Sequence, residues 1–133
     1  KLSRQYWKLR GQPSRTKMIS RYLAYHGTTM GALSLTGVPS IKTPFEPLVP
    51  GAIKVQTPYR YRCHDCGHLD GCTLRCADDL ELRIEMEGPD TIAAVFMEPL
   101  QNTGGASDRC AVATNSYAPT PIGQETPVPP SPQ

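Results

Sequence analysis

The chain has 133 residues, which suits one small domain, and its 38% hydrophobic content with 14 prolines and 11 glycines is low for a densely packed core. The net charge is only +2, but the first 45 residues carry eight lysines or arginines and no acid, and all 12 acidic residues follow from Glu46 onward. We expect neither a nucleic-acid nor a membrane partner, because the basic residues accompany no nucleic-acid-binding motif and no apolar run resembles a membrane span or a signal peptide. Five cysteines, an odd number, favour a reducing compartment: the cytoplasm, with the mitochondrial matrix as the alternative.

The first ten residues predict an amphipathic helix. Leu2, Tyr6 and Leu9 recur at helical spacing on one face, and Gly11 is a suitable stop. Because this helix begins at the first residue without a capping residue, we expect its start to be missing. Residues 16–23 then predict the first strand, although basic side chains alternate within it.

A polar and aromatic turn follows this strand. Tyr25 and His26 stand side by side, and Gly27 allows a sharp turn or a close approach to a ligand. Residues 30–35 are compatible with a helix, for which Gly37 is a suitable stop. In open α/β sheets, ligands bind at such carboxyl ends of strands, so this turn is the first candidate site. On spacing alone, ordinary half-buried roles for the two side chains are the alternative.

Residues 38–75 show no helical or strand period. A loop of this length is uncommon in a compact domain and is usually functional or packed against a larger body. Five prolines interrupt it: Pro39, Pro44, Pro47, Pro50 and Pro58.

Four cysteines near the end of this loop could bind zinc. They are Cys63, Cys66, Cys72 and Cys76, and two histidines lie between them. Four thiolates suit tetrahedral zinc, but the gap between the two pairs is short for a zinc ribbon or finger. A small zinc-binding interaction module is therefore the alternative function, and unrelated thiols in a loop are the plainer interpretation.

The next predicted elements are a helix over residues 77–86 and a strand over residues 91–97. The strand is a continuous apolar run, as expected for a sheet strand that is covered on both faces. Glu98 ends it, and a carboxylate in that position is costly unless it is paired. The alternative to a functional role for Glu98 is a structural ion pair with Arg21 or with an arginine outside this chain.

The last part of the chain, residues 106–133, is rich in proline and poor in large apolar residues. Such a segment cannot bury enough surface to offset the entropy of ordering it, so we predict a disordered tail.

Two segments together resemble a known family. YHGTTMGALSLTG, at residues 25–37, resembles the tyrosine-histidine-glycine segment of the class III, fold type I, pyridoxal-phosphate-dependent aminotransferases. IAAVFMEPLQNTGG, at residues 92–105, resembles the strand and glutamate-proline motif downstream in the same family. Residues 1–105 are similar to part of its large, cofactor-binding domain, and residues 106–133 depart from the family pattern. The resemblance implies an α/β fold, here part of a three-layer sandwich.

The resemblance also implies roles for particular residues. The aromatic at the Tyr25 position stacks on the pyridine ring of pyridoxal 5'-phosphate, while His26 and Gly27 shape the turn. The glutamate at the Glu98 position lies near the cofactor, and in several members it pairs with a mobile arginine that gates substrate entry.

The implied reaction transfers an amino group from an amine or ω-amino acid to a 2-oxo acid, in a homodimer with active sites at the subunit interface. In the family, the Schiff-base lysine and the aspartate that holds the pyridinium nitrogen follow the glutamate-proline motif, and the phosphate-binding cup precedes the first helix. We therefore expect this chain to be an internal part of such an enzyme and to be inactive alone.

Overall fold

A computed structural model describes residues 1–58, 75–99 and 101–103. Within these ranges, every helix is too short or too polar to cross a bilayer. The helices and strands, in chain order, are α1 (Leu2–Leu9), β1 (Lys17–Arg21), α2 (Met30–Leu35), α3 (Pro39–Lys42), β2 (Ala52–Val55), α4 (Arg75–Glu87) and β3 (Ile92–Phe96). Two single 3-10 turns, Thr43–Phe45 and Pro89–Thr91, complete the set among the described residues.

The three strands form one parallel sheet in the order β2-β1-β3. Ile19 of β1 lies opposite Ile53 of β2 on one side and Val95 of β3 on the other. A register shift between Lys17 and Met18 interrupts the pairing with β3 at the start of β1. Because the strands are parallel, their carboxyl ends meet at one edge of the sheet.

Helices lie on both faces of this sheet. On one face, Leu80 of α4 packs against Ile19, Val55 and Ile92, which together form the buried apolar core. Alternate strand residues such as Met18 point to the other face, where they line a groove together with α1 and α2. This arrangement is the expected partial three-layer α/β sandwich.

The first helix is attached mainly by Trp7. The indole Nε1 of Trp7 donates to the carbonyl oxygen of Ala93 at 2.7 Å, and the guanidinium of Arg15 lies 4.5 Å from the centre of the Trp7 ring. The apolar positions Leu2 and Leu9 remain 83% and 79% exposed. Helical spacing therefore identified the helix but not the residue that holds it in place.

The prediction of a structureless stretch over residues 38–75 was wrong for part of that stretch. It contains α3 and the edge strand β2. Pro39 occupies the first turn of α3, where proline's missing N–H costs nothing, so it starts a helix there rather than interrupting one. Strand β2 has four residues, AIKV, and no alternating pattern marks it, because Lys54 occupies a half-buried position.

Candidate functional site

The segments that follow the three strands meet at the carboxyl edge of the sheet. The backbone of Tyr22, just after β1, joins them: its N–H donates to the carbonyl of Val55 at 3.0 Å. The carbonyl of Tyr22 accepts from the side chain of Gln101 at 3.0 Å and from the hydroxyl of Thr57. The turn after β1 is therefore held between the ends of β2 and β3.

Tyr25 and Glu98 lie in direct contact at this edge. The backbone N–H of Tyr25 donates to Oε1 of Glu98 at 2.7 Å, and the backbone N–H of Asn102 donates to Oε2 at 3.2 Å. Hydrogen bonds from two amides offset part of the cost of half-burying a carboxylate. The two segments that resemble the family motifs thus share one site.

The ring of Tyr25 is available at the surface of this site, since the residue is 45% exposed. Gly27 lies two residues further on with φ of +116°, which is a conformation that side-chain-bearing residues rarely adopt. A Cβ atom at Gly27 would also come within 3.2 Å of Cβ of Ala32 in α2. The sharp turn predicted at this glycine is present.

The side chain of His26 packs against β3. Its ring contacts Phe96 edge to face, with 6.1 Å between the ring centres, and its Nε2 is buried without a hydrogen-bond partner among the described residues. Burial lowers the pKa of His26 below its usual 6.5, the Glu98 carboxylate opposes this, and the Lys54 ammonium adds to it. His26 is therefore mainly neutral at pH 7.

Thr36 fixes the backbone of this turn, and sequence reasoning did not identify it. The residue is fully buried at the end of α2. Its Oγ1 accepts from the N–H of His26 at 3.0 Å and lies 3.0 Å from the carbonyl oxygen of Gly27, to which it donates. A polar β-branched residue at a helix end carries no local signal for such a role.

At Gly37 the backbone after α2 passes very close to the backbone at the end of β1. Its N–H donates to the carbonyl of Ala24 at 2.7 Å, and its carbonyl accepts from the N–H of Leu23 at 3.0 Å. A Cβ atom there would lie 2.3 Å from the carbonyl oxygen of Arg21. We predicted Gly37 as a helix stop, and α2 ends two residues before it, at Leu35. A glycine is required at this position because the backbone of residues 21–23 passes too close for a side chain.

Lys54 is a second residue that sequence reasoning missed. In the structure its ammonium contacts Ser20 and the last two carbonyls of α2. Burial, and secondarily the Lys42 ammonium, lower the pKa of Lys54 to about 8.

The alternative zinc site falls mostly outside the described residues. Cys63, Cys66 and Cys72 lie there, whereas Cys76 is buried near the start of α4. In the part of the chain that the structure describes, no group of three metal-binding side chains occurs. The predicted disordered tail, residues 106–133, also lies outside the described residues.

A large groove of about 1260 Å³ lies on the sheet face that carries α1 and α2. Its apolar lining includes Tyr6, Trp7, Met18, Met30 and Phe96. Phe96 links this groove to the candidate site, because it lines the groove and its ring also contacts His26.

Comparisons with known proteins agree on one family. A family model described as aminotransferase class-III matches residues 1–116. A protein named probable aminotransferase from Mycobacterium tuberculosis is 51% identical over 105 residues, which are 79% of this chain and 22% of that protein.

Two solved structures give the same result. An (S)-enantioselective ω-transaminase from Thermomicrobium roseum has a TM-score of 0.76 and 44% identity, over 86% of this chain and 26% of that chain. An amine transaminase from an uncultivated Pseudomonas species, solved in its PLP-bound form, has a TM-score of 0.70 and 37% identity, over 75% of this chain and 23% of that chain. The chain thus spans 22% to 26% of the length of these three proteins.

Proposed function

Because the chain belongs to the class III aminotransferases, we propose that the whole protein transfers an amino group from an amine or ω-amino acid to a 2-oxo acid. Members of the family act on an amino donor and a keto acid. We propose that residues 1–105 contribute part of the cofactor-binding domain and that residues 106–133 lie outside it, while the family model extends to residue 116. We further propose that the whole protein is a homodimer.

One observation carries this proposal: the 2.7 Å hydrogen bond from the backbone of Tyr25 to the carboxylate of Glu98. These residues are 73 positions apart in the chain and belong to different family-like motifs. Their contact at the carboxyl edge of a parallel sheet supports one shared ligand site, because ligands of open α/β sheets bind there.

The described residues fit pyridoxal 5'-phosphate. The Tyr25 ring offers a flat, half-exposed surface for stacking. The buried Nε2 of His26 has no hydrogen-bond partner among the described residues, so a polar group from outside them is expected beside it. When bound, the cofactor supplies the aldehyde and the electron-withdrawing ring that carry the amino group between substrates.

The chain's own residues would orient this cofactor. Tyr25 supports one face of the ring, and the neutral His26 packs behind the turn without adding a charge. Glu98 fixes the backbone of Tyr25 through one oxygen, while its negative charge stays close to the site. We propose that this carboxylate also receives a substrate-gating arginine from elsewhere in the whole protein.

A chimeric enzyme tests the proposal. The matching segment of the T. roseum ω-transaminase is replaced by residues 1–105 of this chain, and cofactor retention and amine turnover with a 2-oxo acid are measured. We expect an active, cofactor-loaded chimera. Tyr25→Ala should weaken cofactor binding about tenfold through the loss of stacking, whereas the matched control Tyr25→Phe should keep it.

Two results would contradict the proposal. One is a chimera that folds but retains no cofactor. The other is equal cofactor affinity in the alanine and phenylalanine variants, since the ring of Tyr25 would then make no contact with the cofactor.

A further inference from the structure

The ammonium group of Lys54 lies beneath the end of helix α2. Its Nζ lies 3.0 Å from the carbonyl oxygen of Ser34, 2.5 Å from that of Leu35 and 2.6 Å from Oγ of Ser20. The hydroxyl of Ser20 in turn donates to the carbonyl of Leu35 at 2.7 Å. An ammonium has three N–H donors, and here each of them has an acceptor.

Helix α2 needs such a contact. It has only six residues and no side-chain hydrogen bond at its N-terminal cap, and the chain leaves it in an extended conformation at Thr36. Isolated helices of this length are not stable, and the last carbonyls of a helix have no partner within it. A cation at the C-terminal end satisfies these carbonyls and interacts favourably with the helix dipole.

The two residues that follow α2 hold the candidate site on their other side. The hydroxyl of Thr36 binds the backbone of His26 and Gly27, and the N–H of Gly37 donates to the carbonyl of Ala24. Lys54 holds residues 34–35, and residues 36–37 hold residues 24–27. Hydrogen bonds at each end, joined by the covalent backbone of residues 34–37, thus connect the edge strand β2 to the turn.

We propose that Lys54 is a positioning residue, which fixes the turn of Tyr25, His26 and Gly27 through the C-terminal end of α2. The stacking role of that turn rests on the proposed function, whereas the mechanical link does not. Lys54 touches no reacting group in this arrangement. It acts through Thr36 and Gly37, which bond the backbone on either side of Tyr25.

Few titratable groups face Lys54 from the elements packed around it. Lys42 of α3 and His26 of the turn are close enough to affect the local charge. Glu46 forms an ion pair with Lys42 at 3.8 Å, while Ser20 of β1 and Ser34 of α2 do not titrate. Arg21 of β1 follows Ser20 in the strand, so alternation directs it to the α4 face. A change at this site near pH 8 that occurs in the wild type but not in Lys54→Arg therefore reports on Lys54, because an arginine does not titrate in this range.

Amide hydrogen exchange in the full 133-residue chain tests the link. We expect Lys54→Met to accelerate exchange at the N–H of His26 by at least about tenfold, because the turn loses its support. The N–H of Met18 donates to the carbonyl of Gly51, just before β2. This amide is the internal reference, and its exchange should change little. Lys42→Met is the matched control and should affect neither amide, and Lys54→Arg should restore part of the protection.

The proposal is overturned if the two amides accelerate by the same factor in Lys54→Met, which would indicate a general loss of stability, or if neither changes. Should that variant fail to fold, a pH titration of the wild-type chain decides. We expect the His26 amide resonance to shift with a midpoint near 8. The absence of a shift between pH 7 and about 9 would refute the link. Neither measurement uses the cofactor, so a failed link and a failed cofactor site give separate results.

Discussion

Gly37 is the position where the smallest change should disturb the candidate site most. In Gly37→Ala the new methyl carbon would lie 2.3 Å from the carbonyl oxygen of Arg21, 2.7 Å from the nitrogen of Leu23 and 2.9 Å from the carbonyl carbon of Tyr22. All three are backbone atoms, so no side chain can rotate away. The end of β1 and residue 37 must move apart by about 0.7 Å before the closest contact reaches even 3.0 Å.

The expected cost follows from the contacts that this movement breaks. Overpacking costs about 1–3 kcal/mol. The two backbone hydrogen bonds of Gly37, to Leu23 and Ala24, contribute about 1 kcal/mol each. We therefore expect Gly37→Ala to lower the free energy of unfolding by about 3–5 kcal/mol.

Urea unfolding of the purified chain, followed by far-ultraviolet circular dichroism, measures this difference. Gly31→Ala is the matched control, because a Cβ atom at Gly31 meets nothing within 4 Å. Within helix α2 it should stabilise the chain by about 0.5–1 kcal/mol. A wild-type unfolding midpoint in Gly37→Ala, or equal destabilisation by both alanines, would refute the role given to the close approach at Gly37.

Three further predictions concern the turn and the activity of the chain. Thr36→Val should lower the free energy of unfolding by about 2 kcal/mol, because it leaves the N–H of His26 without an acceptor, whereas Thr36→Ser should cost about 1 kcal/mol. The opposite order in urea unfolding would assign the role of Thr36 to its methyl group. Since burial holds the pKa of His26 below 6.5, the unfolded chain binds a proton before the folded chain does, and stability should fall as the pH falls below that value. Unfolding midpoints should therefore decrease more steeply in acid for the wild type than for His26→Gln, and parallel pH profiles would contradict this cause. Finally, the 133-residue chain mixed with pyridoxal phosphate and an amine donor should show no turnover, because it matches only about a quarter of the length of related enzymes. Turnover, or a borohydride-trapped adduct at one specific lysine, would show that prediction to be wrong.

The sequence predicted β1 and β3, of which only β3 is a continuous apolar run. The expected strands over residues 16–23 and 91–97 contain β1 and β3, and the expected helix over residues 77–86 lies within α4. These elements are recognisable because their periodicity reflects burial on both faces of a sheet or on one face of a helix. Their ends differ by a few residues, since local pattern does not fix where pairing stops.

The contacts that hold the turn could not be predicted in the same way. The roles of Thr36 and Lys54 depend on how the end of α2 crosses the sheet, and neither residue type signals that crossing. Lysine is depleted in strands, so the segment AIKV carries a weak strand signal. In the structure that lysine is half buried beside helix carbonyls that lack partners within the helix. The residue that fits poorly in a strand by its local preference is therefore the one that makes a tertiary contact.

The missed strand does not affect the prediction that the two motifs meet, and the strand order explains why. Neighbouring strands lie about 4.8 Å apart, so a strand inserted between β1 and β3 would have moved Glu98 about 5 Å further from Tyr25. Strand β2 instead pairs with the opposite edge of β1, where its Lys54 reaches the end of α2. The order β2-β1-β3 therefore places Glu98 and Lys54 on opposite sides of the central strand β1. Glu98 fixes the turn from one side, and Lys54 supports it from the other.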